Sequence, residues 1–177
     1  SLILLTLDTT RADHLGCYGR KAADTPTLDR LANEGLLFER AYSTTPLTTP
    51  SHASMLTGFY PPKHGVRSNG DAIVPEEITT LAEYLNGENY QTMASVSAFV
   101  TTAVWNLDQG FDVYSDEIPV ALNKQRWGQE RKADAVANDI IQWLNQDASM
   151  EKPVFIWAHF YDPHYPHEPP DLSLIHI

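Results

Sequence analysis

Three short polar segments are the candidates for chemistry in this sequence: residues 8–14 (DTTRADH), 48–52 (TTPSH) and 159–164 (HFYDPH). Asp8 directly follows an apolar run. A carboxylate at the end of a buried strand is costly to desolvate unless it is paired or bound to a cation. Asp8 is therefore a candidate metal ligand. A salt bridge to Arg11, or a helix cap, would satisfy the same carboxylate.

Thr48 stands just before a short predicted helix. The free N–H groups and the dipole at a helix N-terminus favour an anion there. A threonine hydroxyl becomes a nucleophile when a metal ion lowers its pKa. Thr48 is therefore a candidate nucleophile, and the alternative is that it serves as a simple helix N-cap.

The strand pattern predicts where these segments lie. Two apolar runs, 2–7 and 154–160, predict buried strands, and shorter extended pieces are predicted at 36–42, 90–99 and 110–114. Strands that alternate with helices favour an α/β fold with a mostly parallel sheet between helices. In such sheets, ligands bind beyond the carboxyl ends of the strands, which is where the three polar segments fall.

Caps and apolar spacing predict four helices. One begins at Pro26 and ends before Gly35, a second ends before Gly58, and a third runs from a cap at Thr79 to about Gly87. The clearest helix spans 131–145, and its apolar stripe is expected to be buried. The stripe consists of Ala133, Val136, Ala137, Ile140, Ile141 and Leu144.

Composition excludes several classes of partner. The chain has 177 residues, with 12 Lys and Arg against 23 Asp and Glu, a formal net charge of −11 and one cysteine. This charge argues against a nucleic acid partner, because phosphate binding depends on clustered cations. One cysteine excludes an internal disulfide framework. The apolar runs are far shorter than the roughly 20 residues that span a bilayer, so no membrane span is expected in this segment.

Three motifs resemble the amino-terminal half of sulfatase-like enzymes in the alkaline phosphatase superfamily: D-x-x-R-x-D-H-L-G at 8–16, TPTLDRLANEG at 25–35 and T-x-P-S-H-A-S-M-L-T-G at 48–58. YPPKHGVRSNG, LDQGFDVYSD and WAHFYDPHYPHEPP continue the resemblance in the same order, as far as residue 171. The resemblance implies an alkaline-phosphatase-like α/β fold and a metal-dependent hydrolase or transferase. It also implies divalent ions (Ca, Zn or Mn) as cofactors and a small anionic ester as substrate.

The resemblance carries over unevenly. Formylglycine sulfatases open a C/S-x-P-S-R motif with the modified residue, whereas here Thr48 stands at that position and His52 at the arginine. Superfamily members with threonine there include nucleotide pyrophosphatases, phosphodiesterases and phosphoglycerol transferases, and Asp8 and Thr48 match their first metal ligand and nucleophile. Thr9 replaces the second acid of the sulfatase Asp-Asp pair. Cys17 falls in the wrong loop for formylglycine and is expected to be a small packing residue.

The ester class stays open at this point. A formylglycine hydrate releases sulfate by collapsing to the aldehyde, but a sulfated Thr48 has no such exit. A phosphothreonine between two divalent ions can be hydrolysed by in-line attack. The chemistry of Thr48 therefore favours phosphate or phosphonate esters, while the wider resemblance favours sulfate esters.

The resemblance also suggests residues that contact the substrate. It places His164 against the anionic group or the leaving oxygen, where an imidazole can donate a proton. The alternative is a solvent-exposed loop histidine. His52 either reaches the transferred group from the arginine position or faces away on its helix. Lys63 and Asn69 either orient substrate oxygens or belong to a solvated connection.

The later metal ligands of the family, an Asp-His or Asp-Asn pair, have no counterpart in this sequence. One carboxylate and one hydroxyl cannot hold a divalent ion that takes four to six ligands. We therefore expect residues 1–171 to be the N-terminal portion of a catalytic domain, inactive alone, and residues 172–177 to be a non-native tail. The alternative is a degenerate, non-catalytic domain that binds an anion or a partner. The sequence leaves the compartment open, and the resemblance is compatible with a periplasmic, secreted or membrane-attached protein.

Overall fold

The computed structural model describes residues 1–118, 130–149 and 151–165. The chain divides into two compact units, of which the first consists of Ser1–Asp8 and Ser43–Tyr161 and the second of Thr9–Tyr42 and the residues from 162 onward. Residues 172–177, the expected non-native tail, lie outside the described residues. Within the described ranges, no helix is long and apolar enough to cross a membrane.

The first unit is built on a sheet of four strands in the described residues. They are β1 (Leu2–Leu7), β2 (Gln91–Val96), β3 (Val113–Ser115) and β4 (Val154–Phe160). Their order is β1-β4-β2-β3, and each neighbouring pair is parallel. The carboxyl ends of the strands therefore lie at one edge, as the sequence predicts. The predicted α/β fold is confirmed.

Five α-helices accompany this sheet in the described residues. They are α1 (Pro26–Glu34), α2 (Thr48–Thr57), α3 (Pro61–His64), α4 (Leu81–Gly87) and α5 (Ala133–Gln146). Single turns of 3-10 helix lie at Ala12–His14, Gly16–Tyr18, Phe99–Thr101 and Ala103–Trp105. α1 belongs to the second unit and the other four α-helices to the first.

The core of the first unit lies on both faces of the sheet. On one face, Trp143 of α5 packs against Met93 of β2 and Ile156 of β4. The other face carries the larger cluster, in which Leu56 of α2 and Trp157 of β4 are both buried. Side chains alternate along a strand, so residues 155, 157 and 159 of β4 share the face towards this larger cluster.

Two strand predictions are wrong in part. No strand forms over residues 36–42, where the side chains of Leu36 and Phe38 are 87% and 70% exposed. β1 has the predicted bounds, but it is an edge strand rather than a buried one, and Ile3 and Leu5 are about half exposed. Their side chains lie on the face that α5 covers only over β2 and β4. An apolar pattern predicts a strand but not whether a neighbour covers it.

Two helix predictions also need correction. The cap of α4 is Thr80 rather than Thr79, and a reciprocal capping box with Glu83 fixes it. In α5, the predicted stripe is buried only in part, because Ile141 and Leu144 are exposed. Trp143, which lies outside the predicted stripe, is the side chain that fills the contact with the sheet.

Candidate active site

The candidate site is at the carboxyl end of β1, within the first unit. The backbone N–H of Asp8 donates to the carbonyl oxygen of Phe160 at 2.9 Å, which extends the pairing of β1 with β4 by one residue. The side chain of Asp8 is only 8% exposed. Arg11, the alternative partner suggested by the sequence, forms an exposed ion pair with Asp13 instead. Asp8 is thus a nearly buried carboxylate at the sheet edge where ligands bind.

The hydroxyl of Thr48 meets this carboxylate. Thr48 is the first residue of α2, and its Oγ1 donates a hydrogen bond to Asp8 Oδ2 at 3.0 Å. The N-cap residue is Leu47, so the simple N-cap alternative for Thr48 is wrong. The capping interaction comes from Asn69, whose side-chain oxygen accepts the N–H of Thr49 at 2.9 Å. The structure joins Asp8 and Thr48, which the sequence places in one candidate site, by a hydrogen bond. Asn69, a predicted substrate contact, contacts the first turn of α2, and its substrate role stays a prediction.

His52 is buried rather than directed to solvent, with 5% of its surface exposed. Its Nδ1 lies 2.8 Å from the carbonyl oxygen of Thr48, one helical turn earlier. A carbonyl can only accept, so this contact places a proton on Nδ1. Burial lowers the pKa of His52 despite the carbonyl of Thr48 and the charge of Asp8, which both act to raise it. His52 therefore stands at the arginine position as a neutral ring.

His159 is a site residue that sequence reasoning did not single out. It is fully buried, its ring packs edge-on to His52 with centroids 4.5 Å apart, and its Nε2 lies 3.7 Å from Asp8 Oδ2. Burial, and then the neighbouring His52, hold the pKa of His159 well below its ordinary value. Neither Nε2 of this histidine pair has a hydrogen-bond partner within the described residues. The available signal was a polar residue on the inward-facing positions of an apolar strand.

For the remaining predicted residues, the structure gives contacts with groups other than Asp8 and Thr48. Lys63, at the end of α3, is exposed, and its Nζ lies 5.5 Å from the centre of the Phe59 ring. His164 belongs to the second unit, where its Nδ1 lies 2.7 Å from the carbonyl oxygen of Tyr165. Thr9 lies in the same unit and donates to the carbonyl oxygen of Pro163 at 3.2 Å. The substrate roles of Lys63 and His164 stay predictions.

The side chains of this site provide part of what a metal ion needs. Asp8 and Thr48 offer oxygen ligands of the kind that hard divalent cations prefer. Across the described ranges, however, no group of three or more His, Cys, Asp or Glu side chains could hold a metal ion. Asp8 and Thr48 therefore fit as two ligands of a larger set.

Nearby Tyr161 stays protonated, because burial and the charges of Asp8 and Glu130 raise its pKa to about 12.

The fold and the site together define an α/β protein with a buried carboxylate–hydroxyl pair where a parallel strand meets a helix N-terminus. The family model described as Sulfatase matches residues 1–173, and the chain belongs to the sulfatase family. The alkaline-phosphatase-like fold is confirmed by solved structures of this class. The match supports the resemblance from the motifs at 8–16 and 48–58, whereas the roles of individual residues stay predictions.

Individual relatives agree with this assignment. The chain is 28% identical to the uncharacterized sulfatase YidJ of Escherichia coli K12 over 90% of its length, and 29% identical to the ulvan-active sulfatase of Formosa agariphila over 94%. It covers only 32% and 36% of those two proteins. The solved structure of BT4656, in complex with its substrate D-glucosamine-2-N,6-O-disulfate, aligns with a TM-score of 0.77 at 25% identity. The alignment covers 93% of this chain and 34% of BT4656. The phosphonate monoester hydrolase of Agrobacterium radiobacter aligns with a TM-score of 0.77 at 20% identity, covering 99% and 43%, and supports the fold alone.

Proposed function

We propose that residues 1–171 are the N-terminal portion of the catalytic domain of a hydrolase that cleaves sulfate or phosphate/phosphonate esters, with Thr48 as the nucleophile. The observation that carries this proposal is the 3.0 Å hydrogen bond from Thr48 Oγ1 to the buried carboxylate of Asp8, at the first turn of α2. The bond holds the hydroxyl in one orientation. It directs the proton to Asp8 and leaves lone pairs of Oγ1 for attack.

Helix α2 supports an anion at the same place. Thr48 opens the helix, so the positive end of its dipole lies beside the hydroxyl, where it would stabilise a deprotonated oxygen and an anionic group bound there. Asn69 holds the first turn by accepting the N–H of Thr49. The transferred group then lies on Thr48 as an ester until water releases it.

We propose that Asp8 and Thr48 are two of the ligands of a divalent cation. A divalent ion bound there would lower the pKa of the hydroxyl and neutralise charge on the transferred group. Calcium, manganese and zinc are all compatible with this donor pair. We propose that further ligands come from outside the described residues, in which no group of three or more His, Cys, Asp or Glu side chains could hold a metal ion. His52 is neutral and cannot replace the charge of an arginine. His164 is proposed to donate a proton to the leaving oxygen.

The substrate class follows from two separate arguments. Family membership favours sulfate esters, because the full-length relatives that the chain matches are sulfatases. The nucleophile favours phosphate or phosphonate esters, because a threonine ester has no aldehyde exit for sulfate. We therefore propose an enzyme for anionic esters of either element, and the experiment below separates the two.

A specific observation also favours a second candidate, a non-catalytic domain that binds an anionic ligand. His52 is buried and neutral at the position of the catalytic arginine, and Thr9 stands at the position of the second acid. A domain that has lost these charges could retain the fold without turnover. The same experiment distinguishes this candidate from the enzyme.

The test is Thr48→Ala in the full-length protein, assayed on 4-nitrophenyl sulfate, 4-nitrophenyl phosphate and a 4-nitrophenyl phosphonate. The proposal predicts that Thr48→Ala lowers kcat by several orders of magnitude. Thr44→Ala changes an exposed threonine four residues before Thr48 and serves as the matched control, with unchanged activity. The ester with the highest kcat/KM identifies the substrate class. Equal activity of Thr48→Ala and the parent would refute the nucleophile, and saturable sulfate binding without turnover would support the non-catalytic candidate.

A further inference from the structure

A partly buried chain of polar contacts leads to Asp8 from the middle of β4. The indole N–H of Trp157 donates to Thr6 Oγ1 at 3.1 Å, and Thr6 Oγ1 lies 2.9 Å from Nδ1 of His159. Nε2 of His159 lies 3.7 Å from Asp8 Oδ2, the oxygen that accepts the hydroxyl of Thr48. All five residues belong to the first unit. The chain therefore links the middle of β4 to the proposed nucleophile.

The groups that face its two ring nitrogens bear on where the proton of His159 lies. Thr6 can donate its hydroxyl proton either to Nδ1 of His159 at 2.9 Å or to the carbonyl oxygen of Ala158 at 3.4 Å. In the second case Nδ1 of His159 carries the proton and donates to Thr6 Oγ1, so the contacts of Thr6 are compatible with either tautomer. If Thr6 donates to Nδ1, a neutral ring carries its proton on Nε2. A lone pair on Nε2 would instead face the carboxylate of Asp8, which is unfavourable for two acceptors.

We propose that His159 is a positioning residue for Asp8, held by Thr6 and Trp157 in the tautomer that carries its proton on Nε2. The inference rests on the proposed function, because Asp8 matters only if it serves Thr48. Nε2 has no hydrogen-bond partner within the described residues, and the carboxylate of Asp8 lies just beyond hydrogen-bond distance. A small rotation of the carboxylate brings the two together. The hydrogen bond fixes the plane of Asp8 and so the direction in which it presents its oxygens.

Histidine is suited to this place because its two nitrogens do different work. In the proposed tautomer, Nδ1 accepts a hydrogen bond from the hydroxyl of Thr6, and Nε2 donates towards Asp8. A glutamine at residue 159 places an amide N–H near the position of Nε2, whereas an asparagine places its amide near Nδ1. The two variants have almost the same chemistry and nearly the same size. They therefore separate the contact with Asp8 from the contact with Thr6.

The experiment compares His159→Gln, His159→Asn and Thr6→Val with the parent in the full-length protein. We expect His159→Asn to lower kcat and the affinity for Mn²⁺ about 10- to 100-fold, the usual effect of losing a partner of a metal-binding group. His159→Gln is expected to restore both to within about threefold of the parent. KM is expected to stay unchanged, because His159 does not touch substrate. Equal losses in His159→Gln and His159→Asn, in proteins of unchanged unfolding temperature, would overturn the proposal.

A second measurement does not depend on activity. ¹⁵N chemical shifts of labelled histidine distinguish a protonated ring nitrogen from an unprotonated one, so they report the tautomer of His159 directly. We expect the proton on Nε2 in the parent and a shift of the proton towards Nδ1 in Thr6→Val. A proton on Nδ1 in the parent would refute the role of His159 even if Thr48 is the nucleophile. Full activity of Thr48→Ala would refute the proposed function and leave the tautomer to be judged by the spectrum.

Discussion

Two polar clusters in the first unit differ in how completely their buried groups are paired. In one, Arg131 is 7% exposed and binds Asp139 and Ser115, while Ser95 and Ser115 both donate to the same carboxylate oxygen of Asp139. In the other, around Asp8 and Thr48, two buried imidazole nitrogens lack a hydrogen-bond partner within the described residues. The first cluster is arranged for stability. The second contains buried polar groups without hydrogen-bond partners, which is expected at a site that binds a ligand.

The same contrast appears in the charges. Burial acts to raise the pKa of Asp139, but hydrogen bonds from Ser115 and Arg131 and the charge of Arg131 bring it below its ordinary value. The histidines of the site have no charged partner strong enough to offset burial, so their pKa values are lowered. One cluster thus holds its ionised groups in an ion pair, and the other holds its imidazoles neutral.

The largest expected effect separates the two carboxylates. Asp8→Asn in the full-length protein is expected to lower activity more than about 100-fold, since even indirect partners of a metal site contribute 10- to 100-fold. Asp139→Asn is the matched control in the other cluster. It is expected to leave activity within about threefold of the parent and to lower the free energy of unfolding by about 3–5 kcal/mol, because it leaves the buried guanidinium of Arg131 without its carboxylate. A reversed pattern in activity assays and urea unfolding would show that the two clusters have been assigned the wrong roles.

Removing the cation of the paired cluster is expected to have the next largest effect. Arg131→Met leaves Asp139 with its charge uncompensated, and because that carboxylate is about one third exposed we expect a loss of about 2–3 kcal/mol in the free energy of unfolding. Urea unfolding followed by circular dichroism measures this. Lys132→Met, which removes a half-exposed partner of Glu130 at 3.8 Å, is the control and is expected to change it by less than about 1 kcal/mol. Equal effects of the two variants would refute a stabilising role for the Arg131 cluster.

The neutral histidines predict a moderate dependence of stability on pH. Burial lowers the pKa of His52, His64 and His159 in the folded state. The unfolded chain binds protons with an ordinary pKa of about 6.5, so acidification favours unfolding. This stability is complete above about pH 6.5 and is lost as the pH falls below it towards the folded pKa values.

Urea midpoints at about pH 7.5 and 5.5 measure this loss, since few other groups titrate in that interval. The double variant His52→Phe and His159→Phe is expected to lose less stability on acidification than the parent. His14→Asn, which changes an exposed histidine, is expected to behave like the parent. A midpoint that is independent of pH in the parent would contradict the neutral state of the buried rings.

The smallest effect is expected outside both clusters. Arg11 and Asp13 form an ion pair at 2.6 Å, but both side chains are largely exposed. Water and salt screen such a pair, and many contribute nothing measurable to stability. Arg11→Gln is therefore expected to leave the urea midpoint unchanged. A clear loss of stability would show that Arg11 has a partner more important than Asp13.

The sequence predicts the framework of the site well. The bounds of β1 and β4 and the parallel sheet follow from apolar runs that end in polar residues. The placement of Asp8 and Thr48 in one site was implied by the family resemblance. The strand expected at 36–42 does not form, because alternation alone does not supply a neighbouring strand. Ile141 and Leu144 are exposed although they lie on the predicted apolar stripe of α5. Helical spacing identifies the stripe but cannot determine which part of it another element covers.

The details of the site depend on contacts between distant segments. Asn69 caps α2 from 20 residues away along the chain, and His159 reaches Asp8 across two neighbouring strands. The contact of Asn69 has no local signal, because Asn69 lies in a polar loop. The local signal for His159 is a polar residue in an apolar strand, and it does not indicate which group the imidazole contacts. The neutral state of His52 follows from its burial, which only the packing against Trp157 and His159 reveals.

The most direct measurement is rapid quenching of the full-length protein during turnover, followed by high-resolution mass spectrometry of its peptides. The account predicts one added phosphoryl or sulfuryl group on Thr48, absent from Thr48→Ala, and the exact mass identifies which ester class is cleaved. Turnover that leaves no covalent group on Thr48 while another residue carries one would contradict the central claim.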